Sequence, residues 1–167
     1  MLSNDLICDG FNRVKENVHR VIDGLDEREL FYRPHERANT IAWLIWHLTR
    51  VQDDHLAAAF SDTQLWHQGW SDKFNLPFDN NATGYGQSTK EVGLVKADAK
   101  LLGGYHDVVH AATIRYLSGL KETDYQRIVD KRWQPPVTLA VRIVSVLADD
   151  LQHVGQAAYV LGLLENS

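Results

Sequence analysis

The chain has 167 residues, of which 44% are hydrophobic and 23% are charged, so it is long enough to bury the core of one globular domain. Its formal net charge of -5, with no cluster of Lys and Arg, excludes the basic surface that nucleic-acid binding requires. Cys8 is the only cysteine, which excludes an intrachain disulfide and a thiolate metal cluster, so any metal site must use nitrogen and oxygen ligands.

The N-terminal part of the chain predicts a helix rather than a targeting signal. Residues 1–5 have neither a basic start nor an apolar run, and no later stretch is apolar for long enough to span a bilayer, so we expect a cytoplasmic protein without a membrane partner. Between positions 7 and 25 apolar residues recur every three or four residues, which predicts a first amphipathic helix. Asp26 and Glu29 have the spacing of a capping box for a short helical turn before Pro34.

A second long helix is predicted from about Thr40 to Phe60, and residues 61–88 are predicted to follow it as a long loop. Loops of this length inside a compact domain are often functional. This loop carries several aromatic residues, including Tyr85. We therefore expect it to form a lid or the wall of a pocket.

The second half of the chain predicts two more long helices. The third runs from Val92 to near Gly119, and the fourth follows Thr138, its predicted cap, to the C-terminus. Residues 125–136 between them suggest a short extended segment. Four long amphipathic helices without a dividing boundary predict an all-α four-helix bundle that forms a single domain over residues 1–167.

Polar residues lie beside the apolar stripes of the second and fourth helices. Arg142, Asp149, His153 and Gln156 project along one line of the last helix, and His47 has a similar position on the second. Asp149 and His153 are four residues apart, on adjacent turns, and a histidine from another helix completes a set of three ligands with an open position. Imidazole and carboxylate ligands suit zinc, and also nickel, iron or manganese.

Spacing alone leaves alternatives to this set. Asp149 and His153 also have the spacing of a surface ion pair, and Asp150 faces inward and can replace Asp149 as the carboxylate ligand. His55 or His106 can replace His47, or serve as core histidines. The tryptophans are either packing residues or the walls of a substrate cage: Trp43, Trp46, Trp66, Trp70 and Trp133.

The two segments that carry these histidines resemble the DinB-like superfamily. The resemblance is carried by NTIAWLIWHL at 39–48, by WQPPVT at 133–138 and by VLADDLQHVGQ at 146–156. Together with GYG at 84–86 they are similar to the actinobacterial branch of mycothiol-dependent S-transferases, which is related to maleylpyruvate isomerases. The resemblance implies a four-helix bundle with a long crossover between helices two and three. It also implies a divalent metal, most simply zinc, held by His47, Asp149 and His153.

The same resemblance implies a function. Mycothiol or a similar small thiol would take the open position, and the metal-bound thiolate would attack an electrophilic small molecule. Trp46, Tyr85 and Arg142 are the expected contacts of the thiol or substrate, although a plain salt bridge from Arg142 to Asp149 or Asp150 is an alternative. Gln156 or Asp54 is expected to orient a ligand imidazole.

Other activities and an assembly state follow from the same resemblance. An isomerase, a hydrolase and a non-catalytic metal-binding module for the stress response remain alternatives on this site. The resemblance also makes a homodimer an expected assembly.

Overall fold

The computed structural model describes residues 3–165, so positions 1–2 and 166–167 of the predicted domain lie outside it. The helices are α1 (Ser3–Ile22), α2 (Glu27–Leu30), α3 (Ile41–Phe60), α4 (Trp70–Phe74), α5 (Thr89–Val92), α6 (Ala99–Ser118) and α7 (Leu139–Glu165). Two short strands, β1 (Ile128–Asp130) and β2 (Val137–Thr138), pair antiparallel. Short 3₁₀ turns occupy Leu65–His67 and Glu122–Gln126.

The four long helices form the bundle that the sequence predicts. Helix α3 packs against α6 and α7, and α1 packs against the same two helices, so each long helix has two long neighbours. The chain between α3 and α6, which we name the crossover (residues 61–98), contains α4 and α5. The predicted all-α four-helix bundle with a long crossover is therefore confirmed.

Local sequence signals set the start and end of the helices. The side chain of Thr40 accepts a hydrogen bond from the backbone of Trp43 at 3.0 Å, and α3 ends where Ser61 adopts a left-handed conformation. The predicted capping box is present, because Asp26 and Glu29 each accept from the backbone of the other. Thr138 accepts from the backbone of Val141 at 3.3 Å, as expected for the start of α7.

The third long helix begins later than the sequence predicts. Helix α6 begins at Ala99, where the side chain of Asp98 accepts from the backbone of Leu101 at 2.7 Å, and not near Val92. Ser88 and Glu91 form a separate capping box that starts α5, which ends at Val92. The crossover, residues 61–98, therefore extends ten residues beyond the predicted loop 61–88.

The adjacent glycines of α6 are explained by packing. A Cβ atom on Gly103 would lie 3.2 Å from Cδ1 of Ile22 and 3.3 Å from Cε1 of His19. One on Gly104 would lie 3.3 Å from the ring of Trp70. The pair therefore lets α1 and the crossover approach α6 closely.

Between residues 3 and 165, none of the helices has the length and apolarity needed to cross a membrane.

Candidate metal centre

The three predicted ligands lie together where α3 and α7 pack side by side. His47 on α3 and Asp149 and His153 on α7 each offer one ligand atom, and these atoms all lie within 4.8 Å of one another. Nε2 of His153 is 3.6 Å from Oδ1 of Asp149, and the two imidazole centroids are 4.7 Å apart. We name this group the three-residue cluster.

The structure separates Asp149 from its neighbour Asp150. Successive helical residues differ by about 100° in direction, and Asp150 points into the core, where it is fully buried. Both of its carboxyl oxygens lack a hydrogen-bond partner among the described residues. Burial, with a smaller contribution from Asp149, raises the pKa of Asp150 well above its ordinary value. Asp149 is thus the carboxylate that the geometry places with the histidines.

The other two candidate histidines lie outside the cluster. His106 is fully buried on α6, with Nδ1 3.1 Å from the hydroxyl of Thr49. Nδ1 of His55 lies 3.5 Å from both Asp54 and Arg142. The structure therefore places His106 in the core and His55 in a charged surface group.

His47 is oriented by the crossover. Its Nδ1 donates to the backbone carbonyl of Thr83, which leaves the lone pair of Nε2 available. Its ring stacks on Trp43 at 4.5 Å, and the ring of Tyr85 meets it edge-on at 5.0 Å. Burial lowers the pKa of His47, so the imidazole is held in the neutral form that binds metals.

His153 is oriented by its own helix. Its Nδ1 lies 3.2 Å from Oε1 of Gln156, which directs Nε2 toward Asp149. Burial opposes the charged form, but the nearby carboxylate of Asp149 and the contact with Gln156 outweigh it and raise the pKa of His153. Gln156 thus has the orienting position that the sequence suggested, whereas Asp54 accepts from Gln64 at 2.7 Å.

The donor set fits a divalent transition metal. Two imidazole nitrogens and one carboxylate oxygen match the ligands of catalytic zinc sites, and they suit nickel, iron or manganese as well. Oδ2 of Asp149 is buried and has no hydrogen-bond partner within the described chain. A buried carboxylate oxygen without a partner is costly unless a cation or proton compensates it, so the residues present fit the divalent metal that the resemblance implies.

A buried network fixes the crossover against α3. Arg50 is fully buried and its Nε donates to the carbonyl of Ala82 at 3.2 Å, next to Thr83. Asp53 accepts from the backbone of Trp66 at 2.8 Å and from the hydroxyl of Tyr105 at 2.7 Å. These bonds fix the position of the crossover along α3, and so place the Thr83 carbonyl beside His47.

Gly84 allows this close approach. Its φ is +104°, and a Cβ atom there would lie 2.6 Å from Nδ1 of His47 and 3.1 Å from the ring of Trp43. The role of Thr83 could not be predicted from the sequence, because every residue carries the same backbone carbonyl. The GYG segment at 84–86 does mark the adjacent residue, Gly84.

Arg142, an expected contact of the thiol or substrate, is paired with a carboxylate of β1. Its Nη2 lies 3.0 Å from Oδ2 of Asp130, so the alternative of a salt bridge to Asp149 or Asp150 is wrong. The reason is that β1 packs beside α7 and places the carboxylate of Asp130 next to Arg142.

The two aromatic residues expected at the site have different positions. Trp46 is only 1% exposed and packs against Trp66 and Phe78, which makes it part of the core. Trp43 is the tryptophan that contacts His47. Tyr85 is 62% exposed and lies against His47 at the mouth of the cluster.

Comparison with known proteins agrees with the fold. Residues 11–157 match the DinB superfamily. A solved structure, described as the conserved protein of locus from Enterococcus faecalis, is 30% identical, with a TM-score of 0.92 over 100% of this chain and 99% of that one. A comparison with curated proteins finds no match. The chain therefore belongs to the DinB superfamily.

Proposed function

We propose that this protein is a metal-dependent S-transferase that joins a low-molecular-weight thiol, mycothiol or a similar one, to an electrophilic small molecule. The observation that carries the proposal is the three-residue cluster, in which two oriented imidazoles and a carboxylate converge at an exposed tyrosine. The DinB superfamily includes metal-dependent enzymes, which supports an enzymatic role. Such thiols are kept reduced in the cytoplasm, which is the location we propose.

The chain's residues have distinct parts in this proposal. A bound divalent cation, zinc in the first instance, supplies the positive charge that lowers the pKa of a thiol at the open position. Burial lowers the pKa of His47, so its imidazole is neutral and can bind a metal without first losing a proton. His153 and Asp149, whose Nε2 and Oδ1 atoms lie 3.6 Å apart, would hold the same cation together with His47. Tyr85 and Trp43 provide apolar surface beside the thiol, and Arg142 is proposed to bind an anionic group.

The test is a titration of the cobalt-substituted protein with mycothiol, followed by turnover with a generic electrophile such as monobromobimane. We expect the visible spectrum of cobalt to change on thiol addition, and formation of the bimane thioether, with release of bromide, to exceed the uncatalysed rate only when the protein holds its metal. Asp149→Asn should lose both signals, whereas His67→Asn, a change at an exposed histidine of the crossover, should retain them.

Other outcomes point to the alternative activities. Bound cobalt that is indifferent to thiols contradicts the proposal and favours a hydrolase or a non-catalytic metal-binding module. Thiol-dependent rearrangement of a substrate, with release of free thiol, favours an isomerase instead.

A further inference from the structure

A second cavity, of about 360 Å³, opens between the same two helices that carry the cluster. His55 on α3 and Arg142 on α7 form its inner wall, and Asp130, Lys131 and Arg132 close it from β1 and the segment after it. We name it the distal cavity. Its lining is mostly polar and charged, unlike the apolar core beneath α3.

The distal cavity lies along the same α3–α7 contact as the cluster. His55 follows His47 by eight residues, a rise of about 12 Å, and Arg142 precedes Asp149 by seven, a rise of about 10 Å. His55 contacts Arg142, and His47 contacts His153, so α3 and α7 are antiparallel and the two displacements have the same direction.

The residues between the two places connect them electrostatically. The charges of Asp149 and Arg142 both act on His55, and the same two charges act on the phenol of Tyr85. Tyr85 contacts His47 of the cluster, and His55 lines the distal cavity.

The charge of the distal cavity is positive. Lys131, Arg132 and Arg142 face two carboxylates, those of Asp54 and Asp130, which leaves an excess of one positive charge when His55 is neutral. Burial and Arg142 lower the pKa of His55, which favours its neutral form.

Both carboxylates are already engaged by other groups. Hydrogen bonds from Arg132 hold the pKa of Asp130 well below its ordinary value, and Asp54 accepts from Gln64. Nη2 of Arg142 donates a hydrogen bond to Asp130. Nη1 of Arg142 lies 3.5 Å from Nδ1 of His55, which is the limit of a hydrogen bond. The Nη1 donors are therefore available to a stronger acceptor.

We propose that the distal cavity binds a carboxylate of the thiol whose sulfur lies at the three-residue cluster, so that the site selects anionic thiols with about 10 Å between sulfur and carboxylate. This inference rests on the proposed function and narrows its thiol to a similar one that carries a carboxylate, which mycothiol itself does not. Arg142 and Lys131 are the residues that recognise the carboxylate, and the spacing of Arg142 from Asp149 along α7 sets its distance from the sulfur.

The test compares two probes of equal length, 8-mercaptooctanoate and 8-mercapto-1-octanol, by titration of the cobalt-substituted protein. We expect the carboxylate probe to bind about tenfold more tightly, as one charge-assisted hydrogen bond would give. Arg142→Gln should remove this preference and Lys131→Gln should reduce it, with unchanged cobalt stoichiometry. Arg115→Gln, which changes an exposed arginine paired with Asp62, should keep it.

Each result decides between the inference and the proposed function. Equal affinity of the two probes in the wild type overturns the proposal that the distal cavity binds a carboxylate. A preference that persists in both Arg142→Gln and Lys131→Gln overturns it too, and neither result contradicts thiol binding at the cluster. No spectral change with either probe overturns both. Because Arg142 also holds Asp130, the exposed Lys131→Gln variant supplies the readout if Arg142→Gln fails to fold.

Discussion

His106 shows how a single buried residue is committed to one protonation state. The hydroxyl of Thr49 donates to the carbonyl of Ile45 at 2.8 Å, so Nδ1 of His106 carries the proton in the 3.1 Å bond to that hydroxyl. Nε2 is buried and has no hydrogen-bond partner among residues 3–165. Burial, with a smaller effect of His110, lowers the pKa of His106 to about 3. Of the two sequence interpretations, the core histidine is the one that this environment fits.

Replacing His106 with Leu should flatten the acid side of the stability profile. Between the unfolded pKa of about 6.5 and the folded value of about 3, only the unfolded chain binds a proton at this residue. The free energy of unfolding therefore falls as the pH falls through this window, by up to about 1.4 kcal/mol per pH unit. Urea unfolding of the metal-free protein at pH 7.5 and 5.0 measures the difference.

The wild type should lose about 2 kcal/mol more than His106→Leu between these two pH values. Parallel profiles for wild type and His106→Leu would show that His106 is not held neutral by burial.

Among the structural elements, the crossover contributes most to the cluster without supplying a ligand. Its backbone accepts from His47 at Thr83, and its side chain at Gln87 accepts from Nε1 of Trp43 at 2.7 Å. Arg50 and Asp53 hold it from α3. The crossover therefore sets the direction of one ligand imidazole and of the tryptophan that stacks on it.

Gly84→Ala should weaken metal binding through this contact. The new Cβ would displace His47, while Gly86→Ala places a Cβ with no atom within 4 Å at a similarly positive φ of +73°. Both changes should cost about 1–3 kcal/mol of backbone strain, but only Gly84→Ala should lower metal affinity, by tenfold or more. Competition with a zinc chelator measures the affinity. Equal affinities in the two variants would contradict the positioning of His47 by the crossover.

The start of α6 shows that apolar periodicity alone does not locate the first residue of a helix. Val92, Val95 and Ala97 are buried in the same core as the helix that follows, so the apolar spacing continues through a segment that is not part of α6. The caps at Ser88 and Asp98 were the signals that mark the break. Side-chain hydrogen bonds to backbone donors define the boundary where apolar spacing does not.

For the whole molecule, the positions that the sequence predicts best are those of side chains on regular helices. The residues of the cluster lie on α3 and α7, where helical geometry fixes direction, and the resemblance selects among His47, His55 and His106. The carbonyl of Thr83 and the pairing of Arg142 with Asp130 depend on how irregular segments pack against the bundle. Neither residue identity nor spacing encodes those contacts.

The central claim is that the three-residue cluster binds a divalent metal. Elemental mass spectrometry of the purified protein tests it most directly, with His47→Ala, Asp149→Ala, His153→Ala and the exposed control His67→Ala measured beside the wild type and checked for folding by circular dichroism. The account predicts close to one metal ion per chain in wild type and control, and loss of metal in each of the three cluster variants. Folded wild type that holds no metal after reconstitution with zinc or nickel, or cluster variants that keep it, would contradict the account.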